Sequence, residues 1–114
     1  MKIYLDSIGC RLNQSEIERY AREFAALGHS LVPSMADADM MVLNSCSVTA
    51  SAASDSRQKV RQAHKAGIGQ IVVTGCWSTL EPETAAAFPG VIKTVPNLLK
   101  DGLVADVLEI RPDD

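Results

Sequence analysis

The 114-residue sequence predicts an α/β fold: a mostly parallel, Rossmann- or flavodoxin-like sheet in three layers, with helices on both faces. Three observations predict it. Short apolar segments of strand character alternate with segments of helical periodicity, in the order β-α-β-β-α-β-α-β-α. Two of those strands read as buried on both faces: Met40–Leu43 is a continuous apolar run, and Ile71–Thr74 is β-branched throughout and apolar up to Thr74. The helical segments between strands are long enough to act as the crossovers that parallel neighbours require.

Each element has its own signal. Residues 2–8 place Ile3 and Leu5 in alternation with polar partners and read as a first strand. Asn13 with Glu16 resembles a capping box, ahead of a helix whose apolar stripe is Ile17, Tyr20, Phe24 and Leu27 and whose stop is Gly28. His29–Val32 is a short second strand broken by Pro33, and Asp37–Asp39 belong to a turn. The Met40–Leu43 strand ends at Asn44. Residues 50–66, rich in Ala, Gln and Lys/Arg, form a helix closed by Gly67. The Ile71–Thr74 strand ends at Gly75, and a helix follows at about 81–88 with Pro82 in its first turn. Val91–Val95 is the last strand. Asn97 then caps a helix carrying Leu98, Leu99, Leu103, Val107 and Leu108, and Arg111–Asp114 read as the start of a linker.

Composition excludes several classes. The chain is 46% hydrophobic, which rules out intrinsic disorder, and its length suits one compact domain, here residues 1–110. With 11 basic and 14 acidic side chains the formal charge is −3, so the whole surface is no polyanion binder, although a local basic patch is compatible with it. The longest apolar runs are four residues, too short to span a bilayer. Gly9-Cys10 resembles a lipoprotein cleavage site, but Asp6 interrupts a hydrophobic stretch already too short for a signal, and the expected location is the cytoplasm.

Three cysteines, Cys10, Cys46 and Cys76, make an odd, sparse set that argues against a disulfide framework. Each follows a predicted strand, so all three belong to the edge where doubly wound sheets bind ligands. If the second strand lies outside the first, their strands are consecutive neighbours about 4.8 Å apart. The spacing is C-x35-C-x29-C, without a local C-x-x-C, so any convergence comes from topology. Three soft thiolates suit an iron–sulfur cluster, with one iron of a 4Fe–4S cluster left open; zinc with three cysteines and water ranks second. Burial as ordinary core cysteines is the competing explanation. His29 and His64 offer no obvious fourth ligand.

The neighbours of the cysteines have two readings each. Gly9 and Gly75 make tight turns or let backbone approach a cluster, and Asn13 and Asn44 satisfy loop amides or support the cluster loops. Trp77 shields a cluster or fills the core. Arg57, Arg61 and Lys65, at i, i+4 and i+8, share a helix face that is either simply solvated or a contact for RNA or another domain. G-I-G at 67–69 precedes a strand and lacks the third glycine, so it is no dinucleotide fingerprint.

The segments S-I-G-C-R-L-N-Q-S-E (7–16), L-N-S-C-S-V-T (43–49) and V-V-T-G-C (72–76), in this order, resemble the amino-terminal domain of radical-SAM methylthiotransferases. The resemblance runs from residue 1 to about 110 and includes P-G-V-I-K-T-V-P-N-L-L-K (89–100). It implies that Cys10, Cys46 and Cys76 hold an auxiliary 4Fe–4S cluster whose open iron carries the sulfur delivered to substrate. It also implies a following radical-SAM domain, where a second 4Fe–4S cluster cleaves S-adenosylmethionine to the radical that activates the substrate carbon. S-adenosylmethionine supplies the methyl group as well. Family substrates are adenosines beside the tRNA anticodon or an aspartate of a ribosomal protein. V-T-A-S-A-A-S-D-S-R-Q-K-V-R-Q-A (48–63) looks most like the branch acting on threonylcarbamoyl-adenosine in tRNA.

The C-x-x-x-C-x-x-C motif of the radical-SAM domain and a carboxy-terminal TRAM domain are both missing from this sequence. The expectation is therefore a cluster-binding domain of a longer enzyme, unable to complete the reaction alone and working beside a radical-SAM domain in cis. Ser45 stands where threonine is common in the family and Trp77 where a smaller side chain is usual; neither removes a ligand. Two other classes compete. A cysteine phosphoryl-carrier module would use Cys10 after the first strand, but Arg11-Leu12-Asn13-Gln14 lacks the small residues of an anion nest and leaves Cys46 and Cys76 idle. A non-catalytic docking domain would use the 57–65 face for RNA or protein.

Overall fold

The computed structural model describes residues 2–8, 11–46, 49–97, 102–104 and 107, with the backbone alone for 11–13. Five strands form one sheet, β1 (Lys2–Ser7), β2 (Ser30–Leu31), β3 (Met40–Ser45), β4 (Ile71–Gly75) and β5 (Val91–Val95), in the order β2-β1-β3-β4-β5. Every pairing is parallel, so the sheet is wholly rather than mostly so. This is the flavodoxin-type order, in which the sense of winding reverses between β1 and β3. The second strand does lie outside the first, and β1, β3 and β4 are consecutive neighbours.

Alternation of side chains along the strands builds a core on each face. Ile3, Met40, Val42 and Val72 pack with Tyr20 and Phe24 of α1 (Arg11–Ala26) and with Leu103, Val104 and Val107. On the opposite face Met41, Leu43, Ile71 and Val73 pack with Val60 and Ala63 of α2 (Ala50–Lys65) and with Trp77 and Ala85. All six residues of β3 and all five of β4 are buried, as their apolar runs predict. Thr49 caps α2, its hydroxyl accepting from the Ala52 amide at 3.0 Å. Among the described residues, no helix is long and apolar enough to cross a membrane.

Several expectations need correction. The capping box does not form: α1 begins at Arg11, Asn13 is its third residue, and Glu16 accepts instead from Asn44 Nδ2 at 3.1 Å. A buried amide on β3 wins that carboxylate from the local cap. Leu27 is 59% exposed because α1 ends at Ala26 and Gly28, at φ 89°, turns the chain one residue later. Asn44 does not end its strand; it and Ser45 remain paired with β4. The helix expected at 81–88 is two short ones, α3 (Cys76–Leu80) and α4 (Pro82–Ala86). Glu81, at φ −132° and ψ 60°, separates them, since the residue before a proline is driven out of helical geometry. Gly9, Cys10, Leu98, Leu99, Leu108 and the linker at 111–114 lie outside the described residues.

Candidate functional site

The carboxyl ends of β1, β3 and β4 are held level by their pairing. Ser7 is paired with Asn44, and the Ile8 amide still donates to the Asn44 carbonyl at 3.0 Å, two residues before Cys10. Ser45 is paired with Gly75, so Cys46 and Cys76 leave the sheet at the same level on neighbouring strands, which run about 4.8 Å apart. Both are free thiols; Cys46 is 7% exposed and Cys76 is half-buried. Cys10 lies outside the described residues, and among those described no three ligating side chains converge.

Hydroxyl groups tie this edge together. Ser45 Oγ donates to the Thr74 carbonyl at 2.5 Å and Thr74 Oγ1 to the Val95 carbonyl at 2.6 Å, linking β3, β4 and β5 in sequence. Ser56, fully buried on α2, accepts from the Cys46 amide at 3.2 Å, and its hydroxyl lies 3.1 Å from the Cys46 carbonyl and 3.0 Å from that of Ala52. The Gly75 carbonyl accepts from Ser78 Oγ at 3.2 Å and Thr79 Oγ1 at 2.8 Å. Thr79 Oγ1 in turn accepts from the Asn97 amide at 2.9 Å, and Asn97 Nδ2 stands 3.9 Å from Cys76 Sγ. Serine and threonine supply donor and acceptor from one atom, which lets each of them bridge two backbone segments.

Of the residues expected to support the cysteines, Asn44 is fully buried and joins the end of β3 to α1 through Glu16. Gly75, at φ 95°, lies so close to β3 that a Cβ would meet the Ser45 backbone, with its nitrogen at 2.7 Å. That close approach explains the glycine by packing. Trp77 is core, not a lid: it is fully buried, with Phe88 edge-on at 5.4 Å between centroids. Ser56, Thr79 and the Asn97 contact escaped sequence reading. Only Ser56 had a signal there, since it shares the inward face of α2 with Val60 and Ala63.

Beside this edge Asp6 Oδ2 binds Lys59 Nζ at 2.8 Å and accepts from the Tyr4 hydroxyl at 3.1 Å, while Oδ1 takes the Ser7 amide at 2.8 Å. The hydrogen bond to Asp6 holds the Lys59 ammonium above the usual lysine range. Burial, reinforced by the Asp6 charge, pushes the Tyr4 phenol up. On the outward side of α2, Arg57 is half-buried and Arg61 and Lys65 are exposed; none of the three has an ion-pair partner among the described residues. The Arg61 guanidinium lies 5.2 Å above the Phe88 ring. A groove of about 780 Å³ adjoins that stack, lined by Arg61, Glu83, Thr84, Ala87, Phe88 and Pro89 and by neither described cysteine.

Fold and edge together define an α/β domain of flavodoxin strand order that presents cysteines at the ligand-binding end of its sheet. The profile of the family described as "Uncharacterized protein family UPF0004" matches residues 2–96. The chain is 33% identical over 105 residues to the threonylcarbamoyladenosine tRNA methylthiotransferase MtaB of Aquifex aeolicus, covering 91% of this chain and 26% of that protein. It is 35% identical over 102 residues to the enzyme of the same name from Chlamydia pneumoniae, covering 88% and 24%. The ribosomal protein uS12 methylthiotransferase RimO of Escherichia coli is 34% identical over 92 residues, covering 81% and 21%. The chain therefore belongs to the UPF0004 family, the amino-terminal domain of the methylthiotransferases. It spans about a quarter of the length of these relatives.

Proposed function

We propose that this domain holds an auxiliary 4Fe–4S cluster through Cys10, Cys46 and Cys76, within a radical-SAM tRNA methylthiotransferase of the cytoplasm. The observation that carries the proposal is the level exit of Cys46 and Cys76 from the paired ends of β3 and β4, beside the strand that leads to Cys10. The donor set fits: thiolates are the ligands of such clusters, and no disulfide competes for the two described sulfurs. When bound, a cluster with three cysteine ligands supplies an iron with an open coordination position and sulfide for transfer. The protein's part is positional. Ser56 fixes the backbone of Cys46, and Gly75 lets β4 approach β3 closely enough to keep the two sulfur-bearing segments adjacent.

S-adenosylmethionine and a second 4Fe–4S cluster belong, on this proposal, to a radical-SAM domain in cis. The substrate is the threonylcarbamoyl-adenosine of tRNA; coverage rather than identity favours this branch, 91% and 88% of the chain against 81% for the ribosomal-protein enzyme. Arg57, Arg61 and Lys65 are the candidate RNA contact, because their charges are not spent on ion pairs among the described residues.

Anaerobic reconstitution with iron and sulfide, followed by iron quantitation and Mössbauer spectroscopy, tests the cluster. The expected result is about four irons per chain with a 4Fe–4S signature. Each of Cys10→Ala, Cys46→Ala and Cys76→Ala should abolish or convert it. An unchanged cluster in all three variants would overturn the assignment.

A further inference from the structure

We infer that Asn97 is a positioning residue for the Cys76 sulfur, its Nδ2 donating a hydrogen bond that raises the reduction potential of a cluster held there. The inference rests on the cysteine assignment proposed above. Cys76 opens α3 after β4, and Asn97 follows β5, the next strand of the sheet, 21 residues further along the chain. Three constraints fix Asn97 against Cys76. Thr74 Oγ1 holds the Val95 carbonyl at 2.6 Å, Pro96 has a restricted φ, and the Asn97 amide is bound by Thr79 Oγ1, itself bound to Gly75. The Asn97 side chain is exposed, so it fills no core space, and its amide lies 3.9 Å from the sulfur, within reach of an N–H···S bond.

The chemistry follows from charge. Reduction adds an electron to a cluster already surrounded by thiolates, and a donor to a cysteine sulfur stabilises that added charge. Removing the donor therefore makes reduction harder. Aspartate at the same place removes the N–H and adds a negative charge, a larger effect in the same direction. Because the Thr79 bond uses the main-chain amide of Asn97, substitutions of the side chain leave the anchor in place.

The test is a redox titration of the reconstituted chain, followed by electron paramagnetic resonance, for the wild type, Asn97→Ala and Asn97→Asp. Iron content should stay at the wild-type level while the midpoint potential falls in Asn97→Ala and further in Asn97→Asp. Thr79→Val, which cuts the anchor, should also lower it, and Thr79→Ser should restore it. A helix-capping role for Asn97 would change the melting temperature and leave the potential alone. Equal potentials in wild type and both Asn97 variants would overturn the inference and spare the cysteine assignment. A wild-type chain that takes up no cluster would overturn both. The contact itself is read without iron: the Asn97 side-chain amide signals in a nitrogen-15 spectrum should shift with Cys76→Ala and not with Cys46→Ala, and their indifference to Cys76→Ala would sink it.

Discussion

At Gly75 the main chain adopts φ 95° and ψ −169°, a region closed to residues with a side chain, and the space where a Cβ would lie already belongs to β3. The Ser45 nitrogen would stand 2.7 Å away and Asn44 Oδ1 2.8 Å away. Both are part of a fully buried strand, so neither has room to give. Gly75→Ala should therefore destabilise the chain by about 2–4 kcal/mol, the sum of a forbidden backbone conformation and an overpacked contact. Urea unfolding would show the lowered midpoint, and iron uptake should fall with it as β4 is pushed from β3. An alanine variant that unfolds at the wild-type urea concentration would mean that the two strand ends separate freely. The sequence offered this glycine as a turn or as a close approach to a cofactor. The structure shows a close approach to the neighbouring strand, which nothing local in T-G-C announces.

Between elements, the contact of α2 with the end of β1 depends on Lys59 and Asp6, with Tyr4 as a second donor to the same carboxylate. Lys59, bonded to Asp6, and Tyr4, partly desolvated beside it, both hold their protons more tightly in the folded chain than in the unfolded one. Their contribution is thus complete below the unfolded pKa values and is lost as pH rises through the folded ones. The urea midpoint should decline on the alkaline side, above about pH 10, where unfolded lysine and tyrosine begin to release protons. Lys59→Met should remove the lysine part of that decline and move the Tyr4 part to higher pH, because the Lys59 charge favours the phenolate. An identical alkaline slope in wild type and Lys59→Met would show that the ion pair is too well solvated to matter. At this scale the sequence was readable where a signal was local: the short apolar strands gave β3 and β4, and the Ala-, Gln- and Lys/Arg-rich run at 50–66 gave α2, whose Thr49 cap the structure added. It misled where a distant group intervened, as when Asn44 took Glu16 from the cap predicted with Asn13. The break before Pro82 was legible in principle, since proline constrains the residue ahead of it.

Across the whole molecule, the placement of Cys46 and Cys76 followed from strand order alone: the predicted strands before them became neighbours in one parallel sheet, and β2 fell outside β1. The groups that hold Cys46 and Cys76 were less legible: the spacing of Ser56 with Val60 and Ala63 marks its inward face but not its partner, and Thr79 and Asn97 reach Cys76 through folded contacts that no spacing announces. Charge shows the same division between total and local. A net charge of −3 opposes RNA binding by the chain as a whole, yet α2 carries no acid after Asp55 and sets Arg57, Arg61 and Lys65 at successive turns, about 6 Å apart along its axis. With no ion pairs among the described residues to neutralise them, these cations form a local field against an acidic background. If this face meets tRNA, binding should be weak and salt-sensitive, and Arg57→Ala, Arg61→Ala and Lys65→Ala combined should weaken it further. Because each phosphate contact releases counterions, the triple variant should also lose about 2–3 units from the slope of log affinity against log salt. Fluorescence anisotropy with unmodified tRNA at several salt concentrations would measure both quantities, with Gln62→Ala as a control on the same helix. Equal affinity and equal slope in the wild type and the triple variant would remove RNA from this face and leave it to solvent or to a neighbouring domain.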